Sequence, residues 1–285
     1  DGTYRPVFAE GSYRFRRQRT AVLEEDTGLR RFVLDRLTDG WTPEQIAGWL
    51  QRGIEVGLRV ISTETIYAFI FRAGQKAEKL WRYLARRKAS RGRRARRSKD
   101  KIAGKTHISK RSDAANARQE AGHWEGDLVI CKRNRPLLVL HERKTRLTIM
   151  TRLASKTAAE TVTAITEILA RLDPQMRRSM TFDNGTEFAQ HSLLRSALKM
   201  ATYFCDAYAS WQKGGIENMN GRIRRWLPRK TDLDDLSEED IQDIAMTLNL
   251  TPRKCLGFRS PVEAFLNELG KSLSLRFNAN VAPHG

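Results

Sequence analysis

Thr181–Pro228 reads TFDNGTEFAQHSLLRSALKMATYFCDAYASWQKGGIENMNGRIRRWLP, and two carboxylates in it set the reading of the whole chain. Asp183 closes a short apolar run. Glu217 opens an amphipathic helix, and 33 residues separate the two. A third carboxylate, Asp127, stands upstream in the run HWEGDLVI. Carboxylates on two strands and a helix form a donor set for two divalent cations, which need hard oxygen ligands and promote in-line phosphoryl transfer. At about 100° per residue, Glu217, Gly221 and Arg224 share one face of the helix, while Ile216, Met219, Ile223, Trp226 and Leu227 lie on the other. The apolar face is expected to pack on a sheet and to leave Glu217 and Arg224 toward a ligand. Arg224, with its basic neighbours Lys213 and Arg225, is a candidate DNA contact. Taken singly, each acid has an ordinary explanation: Asp-Asn-Gly makes turns, and a glutamate in a first helical turn suits the helix dipole. Glu125 is alternate to Asp127 on the same strand face, so either could be the ligand by position.

Working outward, GHWEGDLVIC, PLLVLHE and LTIMTRLA read as three strands joined by short turns, an antiparallel meander. A helix follows, with Thr157 and Glu160 as a capping box and Val162, Ile165, Leu169 and Leu172 as its apolar stripe. SMTFD is a fourth strand, LLRSALKM a helix and ATYFCD a fifth strand. The Glu217 helix and an acidic-capped helix from Ser237 complete the order. A β-β-β-α-β-α-β-α order is that of the ribonuclease-H-like fold. It makes the first and fourth strands neighbours, and so puts Asp127 and Asp183 at one edge. The fold class expected is α/β, a ribonuclease-H-like core with a mixed five-stranded sheet, preceded by an all-α helix-turn-helix domain.

The net charge of +19 is lopsided. Residues 1–112 carry 27 Lys or Arg against 12 Asp or Glu, and the remainder 25 against 21. A basic front half on a near-neutral back half points to a polyanion-binding module joined to something else. Residues 1–28 read as an arm or the remnant of a preceding domain. Residues 29–84 read as a helix-turn-helix domain. In it Leu29, Phe32, Val33 and Leu37 line one helix. Thr42 caps a second, which carries Ile46, Ala47, Trp49 and Leu50. A third, TETIYAFIFRAG, carries Ile66, Tyr67 and Ile70. The third would be the recognition helix, with Ser62, Thr63, Glu64 and Thr65 nearest the bases. Residues 85–112 hold too few apolar residues for a core and read as a basic linker, in which Arg86, Arg87, Lys88, Arg91, Arg93, Arg94, Arg96 and Arg97 are candidate phosphate contacts. The catalytic domain is expected over 113–270 and an irregular tail over 271–285.

No apolar run approaches the roughly 20 residues of a membrane span. The chain starts at Asp1 rather than Met, which points to material ahead of it. Cys131, Cys205 and Cys255 are odd in number and far apart, so they form no disulfide framework and fit a reducing cytoplasm. The five histidines make no zinc-like spacing with them.

GHWEGDLV, TFDNGTEF, QKGGIENMNGRIRRWLPRKTDL and LNLTPRKCLGFRSPVEAF resemble the catalytic domain of a bacterial insertion-sequence transposase, of the DDE family usually numbered thirty. GWTPEQIAGWL followed by STETIYAFI resembles that family's second helix-turn-helix. The resemblance runs from about Leu29 to Leu266. It implies a metal-binding catalytic triad of Asp127, Asp183 and Glu217. Two Mg²⁺ ions are the implied cofactors, with Mn²⁺ as a substitute. It also implies double-stranded DNA as partner, both element ends and target, and a homodimer or larger assembly at the bacterial nucleoid. A membrane or a small-molecule substrate is not expected. The implied chemistry is hydrolysis at the element's end, then attack of the freed 3′-OH on target DNA, with no protein nucleophile. Members carry a further helix-turn-helix ahead of the one seen here. Two other readings of the residues are a non-catalytic DNA-binding repressor derived from a transposase, and a nuclease of the same fold.

Overall fold

The start signals read from the N-terminal half are realised as side-chain caps. In the computed structural model, which describes residues 22–72, 80, 102–206 and 209–271, the helices of this half are α1 (Val22–Glu25), α2 (Thr27–Thr38), α3 (Pro43–Gln51) and α4 (Thr63–Ile70). Asp26 accepts from the Leu29 amide at 2.8 Å. Thr42 and Gln45 cap each other's backbone ahead of Pro43. Ser62 accepts from the Thr65 amide at 3.1 Å. Such caps satisfy amides that no helical carbonyl reaches. The apolar stripes of α2, α3 and α4 meet in one core that includes Leu29, Phe32, Val33, Leu37, Ile46, Trp49, Ile66 and Ile70. Tyr67 is instead exposed. Residues 52–62 join α3 to α4, longer than the turn of about 3–4 residues in a plain helix-turn-helix.

Two boundaries differ from the sequence reading. Leu23 is fully buried in this core, so residues 22–28 belong with the helices rather than with an arm. The chain divides into two compact units, and residues 252–259 fall in the first with the helices, not in the catalytic domain. Gln45 Nε2 donates to the Pro252 carbonyl, Arg52 Nη1 reaches the Phe258 carbonyl at 3.3 Å and Lys254 pairs with Glu44 at 2.6 Å. The Phe258 ring lies over Gly48, where any Cβ would come within 2.4 Å of it. Glycine at that helical position is a packing requirement.

The second unit is built on α5 (Asp113–Asn116), β1 (His123–Ile130), β2 (Pro136–Glu142), β3 (Thr148–Arg152), α6 (Ala158–Ala170), β4 (Ser179–Phe182), α7 (Ser192–Leu198), β5 (Ala201–Phe204), α8 (Gly214–Trp226), α9 (Glu238–Leu250) and α10 (Pro261–Glu268). The last of these carries a Ser260–Glu263 capping box that the sequence reading had left unassigned. The strands form one sheet in the order β3-β2-β1-β4-β5. The meander is antiparallel, and β4 and β5 run parallel to β1. This is the ribonuclease-H-like arrangement, with the first and fourth strands adjacent.

Strand alternation divides the core in two. Leu138 and Leu140 of β2 point to the side of α6 and α7, with Trp124, Met180, Phe182, Ile165 and Leu194. Leu137 and Val139 point to the other side, with Val129, Met150, Ile216, Met219, Ile223, Ile241 and Leu248. Residues 102–112 are not linker: Ile102 joins the first of these cores and the Phe204 amide donates to Thr106 O at 2.8 Å. The capping box expected at Thr157 is only half formed. Glu160 N donates to Thr157 Oγ1 at 3.4 Å, but the Glu160 carboxylate turns to the amides of Ala154 and Ser155 instead. Trp226, read as part of the buried face of α8, is 38% exposed at the helix end.

Candidate active site

Register decides where Asp127 points. It is paired with Val139 on β2, on the sheet face that packs against α8. Thr181 on β4 is in register with Glu125, and Asp183 follows just past the strand end. The two aspartates therefore leave adjacent parallel strands at one edge and converge on a single cation. Lys213 Nζ lies 3.4 Å from Asp183 Oδ2 and 3.8 Å from Asp127 Oδ2. It also donates to the Gly126 carbonyl at 3.2 Å, and its side chain is only 4% exposed. Lys213 closes a 3-10 turn, Ser210–Lys213, that leads directly into α8. Asn220, two turns along that helix, donates from Nδ2 to Asp127 Oδ2 at 2.8 Å. Backbone amides complete the fixing: Leu128 N donates to Asp127 Oδ1 at 2.9 Å and Gly185 N to Asp183 Oδ1 at 3.0 Å. Burial raises the Asp127 pKa, the Lys213 charge opposes that rise, and the nearby Asp183 adds to it.

Glu217 is exposed on α8, one turn before Asn220. Among the described residues no three His, Cys, Asp or Glu side chains gather closely enough to hold a metal ion.

Glu125, the open alternative to Asp127, is engaged elsewhere. Its side chain is fully buried, pairs with Arg143 Nη1 and accepts the Ile216 amide at 2.8 Å. Arg143 also donates to the carbonyls of Ala115 and Asn116, at 3.2 and 3.4 Å. Beside it Arg111 donates to Thr181 Oγ1 at 3.2 Å, and burial together with the Arg143 charge brings its pKa down to about 10. Glu125 thus ties the start of α8 to the sheet. The same contact explains Gly215, where a Cβ would stand 2.8 Å from Glu125 Oε2 and 3.2 Å from His141 Cδ2.

Arg224 also differs from expectation. Its Nη2 donates to the Ile130 carbonyl at 2.8 Å and its Nη1 to the Leu227 carbonyl at 3.3 Å, which anchors the end of β1 rather than facing a ligand. Arg225 is exposed. Ser62 and Thr65 are joined to each other at 2.9 Å within the α4 cap, with Thr63 beside them. Arg86, Arg87, Lys88, Arg91, Arg93, Arg94, Arg96 and Arg97 lie outside the described residues.

The integrase core domain family matches residues 117–210, which span both aspartates. Transposase InsI for insertion sequence element IS30A of Escherichia coli K12 is 37% identical over 257 residues, covering 87% of this chain and 67% of that protein. The transposase for IS1086 of Cupriavidus metallidurans is 35% identical, covering 87% of this chain and 75% of its own length. The chain belongs to the IS30 family of transposases. The transposase for IS4351 of Bacteroides fragilis is 32% identical over 83% of this chain and 72% of its own. A looser likeness is the crystal structure of the catalytic core domain of BIV integrase, with 18% identity, a TM-score of 0.41 and coverage of 53% of this chain and 97% of that one.

In this IS30-family transposase the aspartate pair fits a divalent cation on two observations. A cation, the Lys213 ammonium, already lies against both carboxylates. Asn220 Oδ1 is buried beside them and has no partner among the described residues. Two carboxylates and an amide oxygen are the hard donors that Mg²⁺ and Mn²⁺ take. Asn220 is the residue the sequence reading missed. Its signal was present, because it shares the Glu217 face at i+3.

Proposed function

We propose that this DNA transposase binds the terminal inverted repeats of its insertion sequence and both cuts and joins DNA strands at Asp127, Asp183 and Glu217. The observation that carries the reading is the convergence of Asp127 and Asp183, from adjacent parallel strands, on one buried positive charge. Asp127, Asp183 and Glu217 would hold two Mg²⁺ ions. Bound there, the ions would supply charge stabilisation to the attacking and leaving oxygens of an in-line displacement.

The chain's own residues hold that site ready. Asn220 and the Leu128 amide fix the two oxygens of Asp127. Glu125 and Arg143 seat the first turn of α8, on which Glu217 is carried. Glu217, exposed on the same helix, would complete the ligand set. The basic N-terminal half would bind phosphates along the double-stranded ends and target, reducing affinity as salt rises. An element has two ends, so a homodimer or larger assembly is the working form. Among the described residues no helix is long and apolar enough to cross a membrane. As an enzyme of DNA it would work at the bacterial nucleoid.

The test is a strand-transfer assay with labelled DNA carrying the element's inverted repeats, in Mg²⁺ or Mn²⁺. Joined products are expected from the unaltered protein and none from Asp127→Asn, Asp183→Asn or Glu217→Gln. Cutting without joining would favour a nuclease. Binding without either would favour a repressor.

A further inference from the structure

In the sequence Lys213 is a basic neighbour of Arg224 and a candidate DNA contact. Its surroundings are not those of a solvated phosphate contact. The side chain is 4% exposed, and its ammonium touches both aspartates and the Gly126 carbonyl. Trp211, two residues earlier on the same 3-10 turn, is 74% exposed, so this turn sends one side chain out and the other in. A buried ammonium is stable only with compensating charge, and two adjacent carboxylates repel each other without it.

We propose that Lys213 is the resident counter-ion of the Asp127–Asp183 pair, and that a divalent ion enters by exchanging with it. This rests on the reading that the pair is the metal site. The exchange keeps the pair's charge compensated throughout. A dication replaces a monocation, and the ammonium leaves on its own flexible stem. Asn220 holds Asp127 through Nδ2 and is not displaced by the exchange, so the carboxylate keeps its orientation. The released ammonium then becomes available to a DNA phosphate at the moment the metal is in place. Metal loading and substrate grip are thereby coupled through one side chain.

Two measurements on the full chain test this, neither relying on activity. In the first, chelator-treated protein is titrated with Mn²⁺ and free ion is read by electron paramagnetic resonance. Lys213→Gln removes the competitor and is expected to bind Mn²⁺ about tenfold tighter than the unaltered protein, given that one charge at this distance is worth several-fold or more in affinity. Lys213→Arg keeps the charge and is expected to bind no tighter. In the second, the unaltered protein is acylated with an amine-reactive reagent and Lys213 is followed by mass spectrometry. Its labelling is expected to rise several-fold when Mn²⁺ is added, while exposed Lys254 labels equally in both conditions. Asp127→Asn is expected to abolish that rise. If Asp127→Asn loses the ion but Lys213→Gln binds it as the unaltered protein does, the metal site stands and the exchange is overturned. If Asp127→Asn binds Mn²⁺ undiminished, the metal-site reading fails and the exchange falls with it. Lys213 labelling that ignores Mn²⁺ overturns the exchange whether or not the variants fold.

Discussion

Breaking the Glu125–Arg143 pair should be among the most damaging single changes available in the catalytic unit. The Glu125 side chain is 0% exposed and that of Arg143 5%, so neither charge left alone can turn to water. Removing one partner of a buried ion pair costs about 3–5 kcal/mol, most of it the penalty on the charge that remains. Glu125→Leu also strips the Ile216 amide of its 2.8 Å acceptor, at about 1–3 kcal/mol more where no water replaces it. Arg143→Met leaves that acceptor in place but unneutralised. Each single variant should lower the melting temperature of this unit by roughly 6–20 °C. The double variant should recover only the part of the loss that belongs to the unpaired charge, because the Ile216 amide and the Ala115 and Asn116 carbonyls still lose their partners. Thermal and urea unfolding followed by circular dichroism would measure all four corners of the cycle. Hydrogen exchange at the first turn of α8 would report whether its tether has loosened. Single losses under about 1 kcal/mol, or a double variant as unstable as the singles summed, would refute the claim that the two buried charges depend on each other.

Gly215→Ala is expected to destabilise by about 1–2 kcal/mol despite alanine's higher helix propensity, because the new methyl group would press on the fixed Glu125 carboxylate and the His141 ring; equal or greater stability in a urea titration would contradict that packing. Burial holds the pKa of His123 below its ordinary 6.5, with Nδ1 on Ser179 Oγ at 2.7 Å. The unfolded chain then binds the proton more readily, so stability from this residue is present above 6.5 and is lost as pH falls toward the lowered value. Asp127 and Glu142, both raised by burial, act in the opposite sense, so the check is the difference between the unaltered protein and His123→Gln in melts across pH 7 to 5. His123→Gln should show the smaller acid loss, and parallel curves would count against it. Burial pushes the Cys205 thiol up to about 11, whereas Cys255 is exposed. Iodoacetamide at pH 8 should alkylate Cys255 in the native protein and Cys205 only after unfolding, as peptide mass spectrometry would show.

The sheet was legible because its signals are local. PLLVLHE became β2 over the same residues, and the structure divides that strand's side chains between two cores. Likewise Thr42 and Ser62 announce helix starts within three residues of the amides they cap. Sequence left matters open, or missed them, where a residue's role is fixed by something distant in the chain. Glu125 and Asp127 are indistinguishable within β1, since both are acids on one face of one strand. What separates them is Arg143, on the turn after β2, and the Ile216 amide at the start of α8, neither of which is visible from the spacing. The same limit hid the fate of residues 252–259, whose partners are Gln45, Arg52 and Gly48.

Charge was the most misleading local signal, and the reason is physical. A lysine or arginine near an acidic site has two ways to be useful, as an exposed phosphate contact or as a buried partner of protein oxygens. Sequence reports the charge but not the desolvation that chooses between them. Arg224 and Lys213 both took the second way. Arg224 closes off the Ile130 carbonyl at the end of β1 and the Leu227 carbonyl just past α8, so its substitution should read out as loss of stability rather than of DNA affinity. Lys213 is different because its partners are the two carboxylates proposed to hold the metal. A structural anchor would more naturally be placed on an acid with no other task, as Arg143 is on Glu125. If that pair holds the metal, the ammonium on it has to leave before the ions can bind, which would make it part of the site's operation.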